Sequence, residues 1–245
     1  MAVEIPRALA EALRGARSVA VLTGAGISAE SGVPTFRAAQ TGLWESYRPE
    51  DLATPEAFAR DPELVWNWYA WRRELVGGAE PNAGHYALAD LEQRVSNFTL
   101  ATQNVDGLHR RAGSCNVLEL HGNISRTVCS FEYEDVEPEG LEGEPPLCPN
   151  CGSYLRPDVV WFGEALPVEA FERARDDASR SDVFLSVGTS SLVQPAASLP
   201  QSALSGGATV VEVNPENTPL TPRADYALQG PAGESLSALL NAAYG

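Results

Sequence analysis

The sequence contains no lysine, so all 17 of its basic residues are arginine. The 33 acidic residues outnumber them and give a formal net charge of −16. Nonspecific binding to nucleic acid depends on basic side chains that neutralise phosphates. The charge balance therefore argues against direct nucleic-acid binding.

Long hydrophobic runs are missing as well, since no stretch approaches the roughly 18 apolar residues of a membrane-spanning helix. The N-terminal segment carries Glu4 and Glu11 and does not resemble a signal peptide. Only four cysteines are present, and their uneven spacing is typical of reduced thiols or a metal site and not of a disulfide framework. We therefore expect a cytoplasmic protein without membrane contact.

What the sequence does contain is an alternation of short apolar runs and helical patterns. The runs SVAVL, FTLAT, VLEL, VFLSV, TVVEV and YALQ each stop at polar or glycine residues, as buried strands with ligand-ready carboxyl ends do. Helical patterns such as PRALAEALRGA, HYALADLEQRV and GESLSALLNAA lie between or beyond them. This alternation predicts an α/β fold, with a Rossmann-like, mostly parallel sheet and helices on both faces.

Two excursions interrupt the alternation and predict a second, smaller domain. The first contains a strong helical pattern, and the second is rich in proline, glycine and glutamate. We interpret them as a helical module and a zinc-ribbon-like module that pack together. The predicted small domain comprises residues 33–80 and 122–160, and the Rossmann-like domain comprises residues 1–32, 81–121 and 161–245.

A glycine loop follows the first apolar run, where VLTGAGISA matches the pattern G-x-G-x-x-A. Gly24 and Gly26 allow the backbone to approach a phosphate, and a helix beginning near Ser28 would direct its N–H groups at the same anion. An oxidoreductase would continue into a second strand that ends in an acidic residue about 20 positions on. Here the residue at that distance, Glu45, lies in loop-like sequence. The pattern predicts a phosphate loop without a hydride-transfer context, and a plain strand-to-helix turn is the alternative.

Polar side chains also follow the second run, where Gln103, Asn104 and Asp106 come directly after FTLAT. Their amides could bind hydroxyl groups and a carboxamide, and the carboxylate could accept from an amide N–H. Turn and N-cap chemistry is the alternative, because Asn and Asp are favoured there anyway.

The three histidines differ in their positions. His121 ends the run VLEL, at the sheet edge where ligands gather, and a near-neutral pKa suits proton abstraction. His85 and His109 lie in helical patterns, and we interpret them as packed or solvated side chains.

Three cysteines suggest a metal site of unusual composition. A zinc ribbon has two C-x2-C pairs separated by about 15 to 20 residues. Here Cys129 is paired with Glu132, and fifteen residues later come Cys148 and Cys151. Structural zinc sites normally contain only Cys and His, so we expect folding without stoichiometric zinc, with packing in place of the metal. A bound zinc remains the alternative, and Cys115 is interpreted as an ordinary thiol.

Residues 61–76 predict a helix with Asp61 as its N-cap and Pro62 at its first position. Tyr69 and Arg72 share a face next to the buried stripe, with Arg72 at the margin between core and solvent. A snorkelling arginine beside a solvated tyrosine is one interpretation of this pair. The predicted buried stripe consists of Leu64, Trp68, Trp71 and Leu75.

Taken together, these motifs resemble the sirtuins, the NAD-dependent protein deacylases. GAGISAESGVPTFR, TQNVDGLH, LHG, RPDVVWFGE, GTSSLVQPAA and EVNPE occur in the family's order, and the resemblance covers residues 18–229. In this family the glycine loop holds NAD, and the segment PTFR is a cofactor-binding loop. The resemblance implies that NAD is cleaved and not used for hydride transfer.

The resemblance also assigns roles to single residues. His121 would deprotonate a ribose hydroxyl after an acyl-lysine amide oxygen has displaced nicotinamide, and Asn104 would contact the ribose or an ordered water. The products would be nicotinamide and O-acyl-ADP-ribose, and the partners would be acyl-lysine proteins or peptides. The implied NAD-binding residues are Gly24, Ala25, Gly26, Ile27, Phe36, Arg37, Gln103, Asn104, Asp106, Gly188, Thr189, Ser190, Asn214 and Ala232.

Further residues resemble those that bind the substrate. Tyr69 and Arg72 are similar to the Tyr-x-x-Arg pair of a sirtuin class that removes succinyl and malonyl groups, and Ala53 matches that class's small residue beside the acyl chain. Glu132 departs from the family, which often has Cys there, so zinc stays open. The segment similar to the edge that pairs with a substrate peptide consists of Val160, Trp161, Phe162 and Gly163.

Two other functions are compatible with an NAD site. An ADP-ribosyltransferase would cleave the same bond of NAD with a different acceptor. A non-catalytic NAD-sensing module would bind NAD without cleaving it. The presence of His121 argues against the second, because a sensor needs no base.

Overall fold

The computed structural model describes residues 3–33 and 47–245. The first half contains α1 Arg7–Gly15, β1 Ser18–Thr23, a 3-10 helix Ala25–Ser31, α2 Pro49–Leu52, α3 Pro55–Arg60, α4 Pro62–Gly77, α5 Ala83–Arg94, β2 Asn97–Thr102, α6 Leu108–Arg111, β3 Val117–Glu119 and β4 Gly122–Cys129. The second half contains β5 Leu155–Val159, α7 Val168–Arg180, β6 Val183–Val187, a 3-10 helix Ala196–Ser198, α8 Leu199–Gly206, β7 Thr209–Val213, a 3-10 helix Thr221–Arg223, β8 Tyr226–Leu228 and α9 Ala232–Tyr244. Within the described residues, no helix has both the length and the apolar character needed to span a membrane.

Six strands form one parallel sheet in the order β3-β2-β1-β6-β7-β8. Each of the six apolar runs contributes one of these strands, so the predicted Rossmann-like sheet is confirmed. The direction of strand succession reverses between β1 and β6, which are direct neighbours. In sheets of this kind, ligands bind outside the carboxyl ends of the strands at that switch point.

Helices cover both faces of the sheet because successive side chains of a strand point to opposite sides. In β1, Val19 and Val21 pack in one core with residues of α1, α5 and α9. Ala20 and Leu22 pack in the other core with residues of α7 and α8. Strands that are apolar on both faces produce the continuous hydrophobic runs seen in the sequence.

A second, two-stranded sheet is formed by β4 and β5, which pair antiparallel. Helices α2, α3 and α4 pack against it in a cluster that includes Trp68, Ile124 and Trp161. A smaller cluster around Cys129, Cys148 and Leu155 holds the ribbon-like segment. The two excursions thus contact each other, and the division of the chain into two domains stays a prediction.

The predicted buried stripe of α4 is confirmed at Trp68 and wrong at Leu75, while Leu64 and Trp71 pack on the same cluster as Trp68. Leu75 is 42% exposed, and Leu64 and Trp71 are only partly buried. The burial differs from the prediction because α4 packs against two clusters. Trp68 lies in the cluster with Ile124 and Trp161, and Trp66 packs on the cluster of Cys129, Cys148 and Leu155. With aromatic residues on several sides, the neighbours and not the periodicity select the buried face, which consists of Val65, Trp68, Tyr69, Arg72 and Val76.

The helix expected near Ser28 also differs from the prediction. It is a 3-10 helix and begins three residues earlier, at Ala25. The loop before it is tied to the neighbouring strand, since Gly24 N–H donates to Val187 O over 3.0 Å and Gly26 N–H to Gly188 O over 2.8 Å. These bonds fix the turn directly at the end of β1. Phe36, Arg37 and Glu45 lie outside the described residues.

Candidate active site

The predicted NAD-binding residues that the structure describes lie after the carboxyl ends of the parallel strands. The glycine loop follows β1, and the amide cluster follows β2. His121 follows β3, and Gly188 follows β6. Because all these strands are parallel, the described members of the set lie along one edge of the sheet. Further along this edge, Ser190 is exposed, Asn214 follows β7, and Ala232 begins α9.

Close backbone packing explains the glycines at the switch point. A Cβ atom added to Gly24 would lie 2.9 Å from Gly188 O, and one added to Gly26 would lie 2.7 Å from Gly188 Cα. Gly188 itself has φ +60°, in the left-handed region that favours glycine. The glycine loop therefore satisfies a packing requirement of its own, in addition to any approach of a phosphate.

A buried hydrogen-bond network joins the first loop to the second. The Ser28 hydroxyl donates to Asp106 Oδ2 over 2.7 Å and accepts from Asn104 Nδ2 over 3.1 Å. Asp106 Oδ1 accepts from the backbone N–H of Leu108 over 3.0 Å. The second donor bond of Asn104 goes to Gly24 O, at 3.2 Å. The amide and carboxylate are thereby held in fixed orientations beside the glycine loop.

Sequence reasoning missed Ser28 as a functional residue and underrated His85. Ser28 and His85 are fully buried, and His85 Nε2 lies 3.4 Å from the Ser28 hydroxyl oxygen. Burial lowers the pKa of His85 to about 4, so its ring is neutral at pH 7. The available signal was the buried serine inside GAGIS, since a polar residue there needs partners. His109 is packed, as expected, with Nε2 at 2.9 Å from Thr23 Oγ1.

Gln103 links the carboxyl ends of β2 and β3 to the half of the sheet that consists of β6, β7 and β8. Its side-chain amide donates to Thr189 Oγ1 over 3.1 Å. Asn214 Nδ2 donates to the carbonyl oxygen of Thr189 over 2.9 Å. The side chains predicted to bind the nucleoside end of NAD are therefore linked across the switch point.

His121 has a defined tautomer. Its Nδ1 lies 2.9 Å from the backbone carbonyl oxygen of Gln103, and because a carbonyl oxygen can only accept, Nδ1 carries the proton. Nε2 then keeps its lone pair and can accept a proton. Burial lowers the pKa of His121 below its ordinary value, partly opposed by the bond to Gln103. The ring is therefore neutral and ready to act as a base at pH 7.

Tyr69 and Arg72 lie deeper than predicted. Tyr69 is 3% exposed and Arg72 is 8% exposed, so the prediction that Arg72 stands at the core–solvent margin is wrong. The Tyr69 hydroxyl accepts a hydrogen bond from Trp161 Nε1 over 3.0 Å, and the Arg72 guanidinium lies 5.0 Å from the centre of the Trp68 ring. Burial lowers the pKa of Arg72, while Tyr69 and Asp106 oppose this shift. A guanidinium keeps its proton in proteins, and that of Arg72 interacts electrostatically with the Asp106 carboxylate beside the glycine loop.

The predicted substrate edge, residues 160–163, folds back on the protein. Val160 N–H donates to His121 O, and Phe162 N–H donates to Ala53 O. Trp161 N–H donates to Glu164 Oε2, and Trp161 O accepts from Glu164 N in a turn. Strand addition at this segment stays a prediction. The backbone groups named above are already bonded within the protein, so a substrate peptide would have to pair with the remaining backbone groups of the segment. The segment does bring Ala53 and His121 to one place.

The cysteine cluster passes a geometric test for zinc. The ligand atoms of Cys129, Glu132, Cys148 and Cys151 lie within 4.8 Å of one another, and Cys129 Sγ and Cys151 Sγ are 3.4 Å apart. Tetrahedral zinc with bonds of about 2.3 Å places its ligand atoms about 3.8 Å apart. The N–H groups of Phe131 and Glu132 both point at Cys129 Sγ, at 3.4 Å, which suits a thiolate. The geometry favours a bound zinc over the expectation of packing alone.

The chain is similar to known proteins over almost its whole length. The model described as the Sir2 family matches residues 24–195. NAD-dependent protein deacylase 2 of Pyrobaculum aerophilum is 56% identical over 235 residues, covering 95% of this chain and 93% of that protein. The crystal structure of a Sir2 homolog–NAD complex is similar with a TM-score of 0.90 and 50% identity, covering 98% of this chain and 94% of that one. A structure of Sir2 with a p53 peptide and NAD+ has a TM-score of 0.83 and 32% identity, covering 94% of this chain and 95% of that one.

Proposed function

The chain belongs to the Sir2 family and is an NAD-dependent protein deacylase, and we propose that it carries out this reaction with His121 as the general base. The observation that supports this assignment is the bond from His121 Nδ1 to Gln103 O, which leaves Nε2 as a proton acceptor at the sheet edge. Its substrates are acyl-lysine side chains of proteins or peptides.

The switch point suits NAD in shape and in chemistry. The glycine loop and Gly188 bring two strand ends into backbone contact, and hydroxyl and amide groups surround them. Gly24 to Ile27 would hold the diphosphate, Asp106 the nicotinamide carboxamide, and Thr189 with Asn214 the adenosine. When bound, NAD supplies the glycosidic bond between its ribose and nicotinamide. The ribose carbon of this bond accepts the acyl oxygen as nicotinamide leaves.

His121 would take the proton of a ribose hydroxyl on Nε2. The Gln103 carbonyl oxygen stabilises the resulting imidazolium, because it accepts from Nδ1–H in both protonation states. The neutral ring that burial favours is the form that this step requires. Because the His121 side chain is largely buried, the proton that Nε2 takes up exchanges slowly with solvent.

Asn104 and Asp106 would orient the cofactor, with Ser28 holding both of them. The serine hydroxyl donates to the carboxylate, so Asp106 keeps its second oxygen for the Leu108 N–H and remains ordered. Prealigned dipoles of this kind stabilise developing charge without a reorganisation cost. The network links Asn104 and Asp106 to the glycine loop. These residues would act in the first half of the reaction, the release of nicotinamide, which does not need the base.

The acyl group would enter between Ala53, Tyr69 and Trp161, which share one apolar cluster. A succinyl or malonyl carboxylate brought there loses its water contacts and needs charged donors in return. Arg72 supplies a planar guanidinium, and Tyr69 supplies a hydroxyl. We propose that the protein removes such acidic acyl groups in addition to acetyl.

Incubation with NAD and either acetyl- or succinyl-peptide, followed by mass spectrometry, tests these assignments. Free nicotinamide together with O-acyl-ADP-ribose is the expected result. Because the chain contains no lysine, every acyl-lysine signal comes from the peptide and none from the enzyme. His121→Ala serves as the matched control for chemistry that depends on the base.

The two alternatives correspond to distinct outcomes of the same experiment. A gain of ADP-ribose on protein, without O-acyl-ADP-ribose, would identify an ADP-ribosyltransferase. NAD binding with no release of nicotinamide would identify a sensor. Either result would overturn the deacylase assignment of the site.

We propose a structural role for zinc in the ribbon-like module. Cys129, Cys148, Cys151 and Glu132 would hold it, and the metal would supply a cross-link between the two halves of the ribbon. A cytoplasmic location, and the absence of nucleic-acid and membrane partners, stay predictions from composition.

A further inference from the structure

The buried Arg156 and the partly buried Glu164 form an ion pair that contacts Trp161. The guanidinium donates from Nη1 and Nη2 to the two carboxylate oxygens over 2.6 and 2.9 Å, and from Nη2 to Val159 O over 2.8 Å. The Arg156 side chain is 5% exposed and the Glu164 side chain is 18% exposed. A bidentate pair with this burial has one preferred geometry.

The ion pair holds Trp161 at two points. The carbon centre of the guanidinium lies 3.4 Å from the centre of the Trp161 ring, which is the distance of a stacked cation. Glu164 Oε2, which accepts from Arg156 Nη2, also accepts from the Trp161 backbone N–H over 2.7 Å. Phe58 packs on the indole as well, with ring centres 5.1 Å apart. The backbone and the ring plane of Trp161 are therefore fixed together.

The fixed indole determines what the Tyr69 hydroxyl can do. An indole N–H can only donate, so the bond of 3.0 Å makes the Tyr69 oxygen an acceptor and leaves its proton available for another partner. Burial raises the pKa of Tyr69 to about 12, so the phenol keeps this proton at neutral pH. Arg72 lies three residues further along α4, about one turn away. The Tyr69 hydroxyl and the Arg72 guanidinium are both hydrogen-bond donors for a carboxylate.

Arg156 is not itself a suitable ligand for an acyl carboxylate, because Glu164 already balances its charge. We propose that Arg156 and Glu164 are positioning residues for acyl selectivity: by stacking on and anchoring Trp161, they make its indole N–H orient Tyr69 as a donor to an acidic acyl group. This inference rests on the acyl preference proposed above and adds a route by which residues outside the pocket control it.

The test measures kcat/KM on matched succinyl and acetyl peptides and follows the ratio of the two values. Arg156→Met should lower the succinyl-to-acetyl ratio about three- to tenfold, because it weakens the neutral hydrogen bond from Trp161 Nε1 that orients the Tyr69 hydroxyl and does not remove that hydroxyl. Introduced into a Tyr69→Phe background, the same substitution should leave the ratio unchanged, since the hydroxyl through which it acts is gone. A fall by the same factor in both backgrounds would overturn the proposal and identify Arg156 as structural.

Arg156→Lys is the conservative variant and covers the case in which Arg156→Met does not fold. Lysine keeps the charge for Glu164 but lacks the flat face that stacks on Trp161, so the ratio should still fall. A succinyl-to-acetyl ratio in Arg156→Lys equal to that of the wild type would overturn the stacking role of Arg156. If Tyr69→Phe lowers the ratio and neither Arg156 variant does, the positioning proposal fails alone. If Tyr69→Phe and Arg72→Met both leave the ratio unchanged, the acyl preference fails as well.

Discussion

The Nδ1–H of His121 donates to the backbone carbonyl oxygen of Gln103 over 2.9 Å, which joins the ends of two neighbouring parallel strands. Because the acceptor belongs to the backbone, no side-chain substitution at position 103 removes it. The tautomer of His121, the proposed base, is therefore set by the backbone at the end of β2. This gives the catalytic assignment its clearest tests.

We expect His121→Ala to abolish turnover while NAD binding stays largely intact. The base acts only after the cofactor is seated, and loss of a general base costs about 10²- to 10⁴-fold in rate. Steady-state kinetics with calorimetric titration of NAD would measure both properties. A variant that keeps more than about a tenth of the wild-type rate would show that another group takes the proton.

The pH dependence of kcat/KM should show an acid limb below pH 6.5. His121 must be neutral to accept a proton, so activity is lost as the pH falls through its pKa. Burial is the largest influence on that pKa and lowers it from the ordinary value of 6.5. Initial rates at low substrate between pH 5 and 9 measure the limb. A midpoint above 6.5 would contradict desolvation as the dominant influence.

The protein should lose stability as the pH falls from 6.5 toward 5, because His85 and His109 are buried as neutral rings. Burial lowers their pKa values to about 4 and about 3. Below 6.5 the unfolded chain gains protons on these residues that the folded chain excludes. The free energy of unfolding should decrease by up to about 1.4 kcal/mol per pH unit for each histidine.

Urea unfolding at pH 7, 6 and 5 measures this dependence. His109→Gln is the matched variant, because it removes one titrating group and keeps a side chain that can bond to Thr23. Its stability should vary less steeply with pH than that of the wild type, because only His85 and His121 then remain as histidines whose pKa values burial lowers. An unchanged slope in this variant would assign the pH dependence to other groups.

Arg72→Met should reduce desuccinylation at least about tenfold and change deacetylation far less. A hydrogen bond to a charged group is worth roughly 1.5–3 kcal/mol, which corresponds to about 10- to 150-fold in rate. Acetyl-lysine has no carboxylate and does not use this interaction. Measurement of kcat/KM on matched acetyl and succinyl peptides decides the point.

The adjacent Arg73 provides the control on the same helix. Its guanidinium donates to Ile124 O, Arg126 O and Thr127 Oγ1 at 2.6–3.0 Å, which ties α4 to β4. Arg73→Met should lower the melting temperature and affect both peptides alike. An equal fall on both peptides with Arg72→Met would mean that Arg72, too, is structural.

Protein purified without chelator should contain one zinc per chain. The four donor atoms converge within 4.8 Å, and a zinc ion between them would hold the cysteines as thiolates. Glu132→Cys should raise zinc affinity and Glu132→Ala should lower it, because a thiolate is the stronger ligand. Elemental analysis and competition with a chromogenic chelator measure both. Stable, metal-free wild-type protein would support the packing alternative.

The sequence alone determined the sheet and predicted the edge at which NAD binds. Each strand of the parallel sheet is a short apolar run, and each run ends at polar or glycine residues along the carboxyl edge of the sheet. These signals are local, since a strand buried on both faces must be apolar and its loop must be polar. His121 was identifiable for this reason, as the histidine at the end of such a run.

Only the tertiary structure decided the burial of Arg72, the network around Ser28 and the convergence at Cys129. The periodicity of α4 fits more than one buried face, and the cluster it packs against selects the one that contains Arg72. Ser28 and Asp106 are 78 positions apart, and their hydrogen bond exists only because β1 and β2 are neighbours. Such contacts join segments that are distant along the chain, so they depend on how whole elements pack and no local pattern encodes them.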